Sequence, residues 1–399
     1  MHIAGKYQLS YCTNIHPGQD WETTFENLKR YVPEIKKAVS ADKPFGLGLR
    51  LSNKASEELA MGDRMANFQK WLTEEDVYVF TMNGFPYGNF HDERVKDKVH
   101  APDWTTQERL VYTNRLFDQL AVLLPSNVSG GISTSPISYR HWHAAPTDKK
   151  KVFEKGAENM IRVALHLSQL EKSTGKYMHL DIEPEPDGLL ENTDEVLSFF
   201  SDHLIPMGIK ILENELNLND VESEKLIKRY ITICYDICHF SLAYEEPEIT
   251  FKKFRSADVQ VGKIQVSAAL KVIFGTPDHE SIWNALAQFN EPTYLHQVTE
   301  QKDGIVKTYN DLPQVLEKKD GHKELRAHFH VPIFLERYGN LFSTQDHIIK
   351  TLDYLKDHVV SEHLEIETYT WDVLPKDLKQ NLTESIIREI EWLKTRIVR

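Results

Sequence analysis

Short apolar runs rich in β-branched and aromatic residues alternate along this chain with longer stretches whose apolar positions recur at helical spacing. "YQLSYCT" (7–13) precedes "WETTFENLKRYVPEIKKAV", and "FGLGLRL" (45–51) precedes a predicted helix running through Trp71. "VYVFTMNGF" (77–85) leads into a long loop and then "WTTQERLVYTNRLFDQLAVLL". "VSGGISTSP" (128–136) is followed by a predicted helix over 149–172, in which Val152, Phe153, Ala157, Met160, Ile161, Ala164 and Leu165 share one apolar face. "YMHLDIE", "ITICYDI" and "GKIQVSAAL" continue the series. Strand followed by helix, at least seven times, predicts a parallel sheet covered by helices.

The alternation starts near residue 7 and ends near residue 370 without a linker, repeat or low-complexity tract, which favours one domain over residues 1–399. That length suits a (β/α)8 barrel with long strand-end loops, although two average domains would also fit it. A doubly wound open sheet is the alternative within the α/β class. It is disfavoured because "TNIHPGQDW", not a Gly-rich phosphate loop, follows the first strand. One ambiguity concerns the eighth strand. Both "RAHFHVPIF" (326–334) and "LEIETYTW" (364–371) read as extended, so one of them must be a loop strand.

Polar residues interrupt the pattern at the strand ends. Asn14 and His16 follow strand one, Asn83 closes strand three, and Glu183 and Glu185 of "HLDIEPEP" end strand five. Asp236 and His239 end strand six, Gln265 lies in strand seven, His328 and His330 lie in the next extended segment, and Glu367 lies in the last. The C-terminal strand ends of a barrel converge on one mouth, so these residues would share a site. Residues two apart on a strand face the same way, which pairs Glu183 with Glu185, His328 with His330 and Glu365 with Glu367. Carboxylates and neutral imidazoles are the donors of a divalent cation, whose charge would offset crowding the acids together. Singly, each group has a plain structural reading as a solvated strand exit, a turn cap or a hydrogen-bonding strand residue. Chance seldom sets acids and histidines at four successive strand ends.

Aromatic residues flank these positions. Phe85, Tyr87, Phe90 and Trp104 follow strand three, and Tyr139, His141, Trp142 and His143 follow strand four. They would either roof a substrate and stack on a sugar ring or form a satellite core under the loops. His296 of "TYLHQVTE" is an outer candidate.

Charge narrows the partners. With 60 Asp+Glu against 47 Lys+Arg the net charge is -13, which disfavours broad contact with nucleic acid or an anionic membrane. The longest basic run, Lys149 to Lys151, opens a helix as a solvated face. No stretch approaches the roughly 18 apolar residues of a spanning helix, and "MHIAGKYQLSYC" is not patterned as a secretory leader, so a cytoplasmic location is expected. Cys12, Cys234 and Cys238 are too few for a disulfide framework and read as buried thiols, Cys234 and Cys238 making only a weak metal signal.

The strand-end order of Glu, Asp-x-x-His, a seventh-strand ligand, a spaced pair and a final acid resembles the xylose-isomerase-like TIM-barrel superfamily, which includes sugar isomerases, ketose epimerases and endonuclease IV. More closely, "YCTNIHPG", "TMNGFPYGNFH", "APDW", "GKIQVSAAL", "HFHVPIF" and "LEIETYTWDVLP" resemble the metabolite traffic protein EboE family, from about Tyr11 to Leu374. The resemblance implies that Glu183 is a metal-bridging glutamate, Asp236 and Glu367 are metal carboxylates, His239 is a ligand or substrate contact, and His328 and His330 bind a second metal. Gln265 stands where relatives use His or Asp, Glu185 where isomerases use Lys, and His-x-His where others have an acidic pair. Zinc, manganese or iron(II) is the implied cofactor.

The activity so implied is metal-dependent isomerisation or epimerisation of a small polyol or hydroxycarbonyl. Glu183 and Glu367 would exchange a proton on carbon from opposite sides of the mouth, assisted by Glu185, with His16, Asn83, Tyr87, Trp104 and His296 contacting substrate. The EboE resemblance also implies a second reading, a binder in metabolite traffic that works beside membrane-associated partners without converting its ligand. A nuclease acting at abasic DNA is a third reading, disfavoured by the acidic balance.

Overall fold

Strands buried on both faces pair in parallel when helices cover the sheet, and the apolar runs of this chain do so. The computed structural model describes residues 1–89, 96–275, 278–319, 321–371, 374 and 381–397. β1 (Tyr7–Tyr11), β2 (Phe45–Arg50), β3 (Val77–Asn83), β4 (Gly130–Thr134), β5 (Met178–Ile182), β6 (Ile231–Asp236) and β7 (Val261–Val266) are the first seven barrel strands. The chain then builds a second, antiparallel sheet from β8 (Ala269–Ile273), β9 (Val298–Lys302), β10 (Ile305–Tyr309), β11 (Glu324–His330), β12 (Arg337–Tyr338) and β13 (Leu341–Ser343). It returns with β14 (His363–Ile366), which pairs in parallel with both β7 and β1. "LEIETYTW" therefore supplies the eighth barrel strand. "RAHFHVPIF" is the strand outside the barrel, because its residues pair antiparallel with β8 and β9.

Between β1 and β2 the barrel closes through a single Cys12 to Gly48 bridge and a 2.6 Å hydrogen bond from the Gly48 amide to Ser10 Oγ. Covering helices follow the strands in the predicted order: α1 (Trp21–Val39), α2 (Gln107–Leu123), α3 (Pro146–Thr174), the short α4 (Ile237–Leu242) and, after β14, α5 (Leu382–Ile397). Local signals set their ends. Asp20 accepts the Thr23 amide at the start of α1, and α3 begins on Pro146 and stops at Gly175, whose φ of 72° suits glycine. One apolar cluster runs from Met1 to Leu393 and includes residues of both sheets. Among the described residues, no helix is long and apolar enough to cross a membrane.

The barrel axis is polar below the mouth. Lys263 Nζ lies 2.5 Å from Glu365 Oε2, both side chains fully buried, and donates to Thr81 and Ser133 hydroxyls at 3.3 and 3.2 Å. Lower down, His179 Nδ1 meets Asp181 Oδ1 at 2.6 Å. Small residues make room for these groups. A Cβ on Gly48 would sit 1.8 Å from Glu365 Oε1 and 2.9 Å from the Tyr11 carbonyl, and Lys263 prevents the carboxylate from moving away.

On the outside of β14, Glu389 of α5 is buried and accepts from Thr368 Oγ1 at 2.7 Å and from the Ile333 amide at 3.1 Å. It ties the segment beyond β14 to the segment beyond β11. Burial pushes its carboxyl up to about 8, with the Thr368 and Ile333 bonds opposing.

Two outcomes are expected. Gly48→Ala should lower the unfolding free energy by about 1–3 kcal/mol, read as an earlier urea midpoint at unchanged slope. Glu389 keeps its proton in the folded chain from the ordinary value of 4.5 up to about 8. In that window the unfolded chain has already released the proton, so its contribution to stability falls as pH rises and levels off above about 8. Urea titrations across that range should show wild type losing stability against Glu389→Gln; a constant difference between the two would contradict this.

Candidate metal centre

The strand ends deliver acids to the mouth: Asp236 is the last paired residue of β6, and Glu183 and Glu367 follow directly on the last residues of β5 and β14. The Glu183 amide continues the β5 ladder by donating to the Thr134 carbonyl at 2.9 Å, and Pro184 then turns the chain so that Glu185 also faces inward. Asp236 ends β6 and caps α4, its Oδ1 accepting the His239 amide at 3.1 Å and Ser267 Oγ at 2.6 Å. Glu367 follows β14 and is held by Asn14 Nδ2 and Asn83 Nδ2, both donating to Oε1, at 2.7 and 2.8 Å. Carboxylate oxygens of Glu183, Asp236 and Glu367 lie within 4.8 Å of one another. The strands that carry the two glutamates are separated by β6 and β7 in the barrel, and their side chains meet in one triad.

The second sheet brings His328 and His330 to these acids and the first turn of α4 adds His239, all three in a defined protonation state. His239 Nδ1 is 3.0 Å from the Pro184 carbonyl and His330 Nδ1 is 2.8 Å from the Glu367 carbonyl. Carbonyls only accept, so both Nδ1 atoms carry the hydrogen. His328 Nδ1 meets Gln297 Oε1 at 2.9 Å, the amide being oriented by donation from Gln297 Nε2 to the Pro186 carbonyl at 3.1 Å. Burial lowers the pKa of all three rings, that of His330 to about 4, and keeps them neutral. Their Nε2 atoms are therefore bare lone pairs. His239 Nε2 and His328 Nε2 nevertheless face each other at 3.0 Å, a contact that repels unless a cation or proton lies between them.

The donor set fits a divalent cation. Two imidazoles on a tetrahedral zinc stand about 3.3 Å apart, close to the separation found here. Donation of Nδ1–H to a fixed oxygen is the usual outer support of a metal-binding imidazole. His330 Nε2, Glu183 Oε2 and Asp236 Oδ2 are buried and find no hydrogen-bond partner among the described residues. One envelope of 4.8 Å encloses Asp236, His239 and His330, and another encloses Glu185, His239 and His328. Burial first, then Asp236 and neighbouring acids, pushes the Glu183 carboxyl well up, and burial with Glu183 does the same to Glu367, while Lys263 opposes both. Asp236 is held low: burial opposes this, and His239, His330 and the Ser267 bond outweigh it.

A cavity of about 70 Å³ opens over this cluster, lined on its apolar side by Phe85, Val99, Tyr294 and Tyr369. Glu185 faces His100, its Oε1 3.2 Å from Nε2. Burial, with Arg109, lowers His100 to about 3, so the contact is not an ion pair. His100, Tyr294, Gln297, Tyr369 and Lys263 were not among the residues expected from the chain. A lysine inside the apolar run "GKIQV" was the one sequence signal for any of them.

Several expected substrate contacts lie elsewhere. His16 is buried against Tyr11 and Tyr31, with Nε2 3.0 Å from the Tyr11 hydroxyl. Tyr87 packs on Tyr112 outside the barrel mouth. Trp104 is fully buried and donates to Thr134 Oγ1 at 3.1 Å. His296 supports the site from behind, Nδ1 donating to the His328 carbonyl at 2.9 Å and Nε2 facing Glu291 at 2.7 Å. Asn83 does line the cavity. Gln265 Oε1 accepts from Cys234 Sγ at 3.1 Å, and its Nε2 is buried without a partner among the described residues. Tyr139 and Trp142 pack around His100, His141 meets Asp187 at 3.0 Å, His143 meets Ser138 at 2.8 Å, and Phe90 lies outside the described residues. Glu365 belongs to the Lys263 pair below the mouth.

No protein-family model and no curated protein matches the chain. Solved structures do. A xylose isomerase-like TIM barrel protein from Mycobacterium smegmatis in complex with magnesium superposes with a TM-score of 0.51 at 9% identity, covering 100% of this chain and 99% of the other. A D-tagatose 3-epimerase-like protein gives 0.47 at 8% identity, with 98% of each chain covered. The IOLI protein with a bound zinc atom gives 0.47 at 10% identity, again over 98% of each chain. The fold is that of the xylose isomerase-like TIM barrels.

A glutamine keeps the neutral form that burial and the neighbouring acids favour at Glu183, so it should stabilise the protein when no metal is present. Glu183→Gln is expected to raise the melting temperature of chelator-treated protein by about 1–3 °C, the effect of roughly 1–2 kcal/mol in a chain of this size. The same variant should lose the further rise that zinc or manganese gives wild type. Scanning calorimetry with and without the ions checks both arms.

Proposed function

We propose that this chain is a divalent-metal-dependent enzyme of sugar isomerase or epimerase type acting on a small polyol or hydroxycarbonyl metabolite. The observation that carries the reading is the facing pair of bare Nε2 atoms on His239 and His328 beside the triad Glu183, Asp236 and Glu367. Glu183, Asp236 and Glu367, with the imidazoles of His239, His328 and His330, would hold a divalent metal, which when bound would supply Lewis acidity to substrate oxygens. Glu183 and Glu367, kept above the ordinary carboxylate range, take and return a proton at the carbon beside the carbonyl. Asn14 and Asn83 aim the Glu367 carboxyl, and the Glu185 and His100 pair carries protons between the inner acids and the loop side. Phe85, Tyr294 and Tyr369 exclude water and pack against the apolar face of a small ligand. Residues 1–399 act as one domain, in the cytoplasm.

A second reading is a binder in an EboE-type metabolite traffic pathway, with membrane-associated partners and no turnover. It is favoured by Gln265, whose Oε1 is engaged by Cys234 and not turned to the acids.

Elemental analysis of protein purified without chelator or nickel resin, beside a Glu183→Ala, His328→Ala double variant, tests the site. About one or two ions per chain, lost in the variant, is the expected result. A screen of sugars and polyols should then find an isomerisation that falls at least about 100-fold in Glu183→Gln and Glu367→Gln. Protein that carries no metal and takes up neither zinc nor manganese overturns the reading. A saturable ligand recovered unchanged favours the binder.

A further inference from the structure

We propose that Cys238 is a thiolate ligand on the histidine side of this centre, which makes it a mixed imidazole and thiolate site for a borderline cation such as zinc or cobalt(II). The proposal rests on the metal-binding reading of the same mouth. Cys238 is the second residue of α4 and fully buried. Its Sγ and ring nitrogens of His328 and His330 lie within 4.8 Å of one another. The backbone there is fixed, since the Cys238 amide donates at 3.0 Å to Ser267 Oγ, the same hydroxyl that bonds Asp236 at 2.6 Å. The first turn of α4 thereby presents Asp236, Cys238 and His239 as one unit.

A separate observation points to a ligand at this spot. His330 Nε2 is buried without a partner among the described residues, its Nδ1–H being committed to the Glu367 carbonyl. The thiols also differ from one another. Cys12 Sγ accepts from Asn83 Nδ2 at 3.6 Å and Cys234 donates to Gln265, whereas Cys238 Sγ makes no hydrogen bond among the described residues. Zinc binds thiolate sulfur at about 2.3 Å and imidazole nitrogen at about 2.0–2.1 Å, so its donors stand about 3.3–3.7 Å apart. Side-chain shifts of about 1 Å close the present envelope to that size. Coordination replaces the S–H bond with a metal–sulfur bond, and the proton leaves to solvent. Sulfur then biases the site toward zinc and cobalt(II) over magnesium and manganese. The competing structural role is a small apolar cluster of Cys238 with Leu242 and Ala269.

Cobalt(II) titrated into chelator-stripped full-length protein separates the two. The expected spectrum has visible d–d bands together with an intense near-ultraviolet band from sulfur-to-cobalt charge transfer. That band should persist in Cys234→Ser and vanish in Cys238→Ser and Cys238→Ala, with the d–d bands retained. Wild type that shows d–d bands without charge transfer, or a charge-transfer band that survives both Cys238 variants, overturns the thiolate assignment and leaves the metal site standing. Wild type that binds no cobalt overturns the metal site and this proposal together. A wild-type spectrum without the charge-transfer band overturns the assignment even where a variant fails to fold.

Discussion

Four carboxylates, those of Glu183, Glu185, Asp236 and Glu367, are buried at one barrel mouth, and the rest of the site is arranged around their mutual repulsion. Like charges taken out of water cannot all stay ionised without compensation. The fold supplies part of it from below, where Lys263 stands on the barrel axis and pulls against the upward shifts of Glu183 and Glu367. Lys263 is itself engaged with Glu365, so its charge is already shared. Protons on the glutamates or a bound cation must supply the remainder. A site that exchanges protons for a cation is what metal-assisted proton transfer at carbon requires.

The second sheet is the addition that gives the mouth its chemistry. A barrel with these strand ends alone would present the carboxylates with the single imidazole of His239, a set dominated by the oxygen donors of hard cations. β11 leaves the barrel sheet, pairs with β8 and β9, and carries His328 and His330 back over the acids. Each imidazole there is locked by an oxygen on its far side, so the tautomer is set by backbone and amide positions and not by solvent. Glu389 then ties the segment beyond β11 to the segment beyond β14, which keeps the histidine side and the carboxylate side in register.

The candidate site was legible where the chemistry follows strand ends. Glu183, Asp236 and Glu367 could be named because a barrel must bring its C-terminal strand ends together, whatever their separation along the chain. The failures share a cause. Tyr87, Trp104 and His16 sit in strand-end loops that the sequence pattern places near the mouth, but loops fold back, and these side chains found partners in Tyr112, Thr134 and Tyr11 instead. His100 and Tyr369 were missed for the converse reason, since nothing in a loop sequence announces which side chain will turn inward.

Periodicity and strand-end placement determined the class of fold, the number and order of most barrel strands and the acids at the mouth. These follow from local rules, in which a period of two or of 3.6 decides which face of each element is buried. Tertiary structure alone decided which of two extended segments closes the barrel, because both have strand-like sequences and differ only in the neighbours they meet. It also decided that Glu183 and Glu367 stand together, that Lys263 lies beneath them, and that His239 and His328 face each other with bare nitrogens. Those are distances and hydrogen-bond directions between residues far apart in the chain, and only the packed fold fixes them.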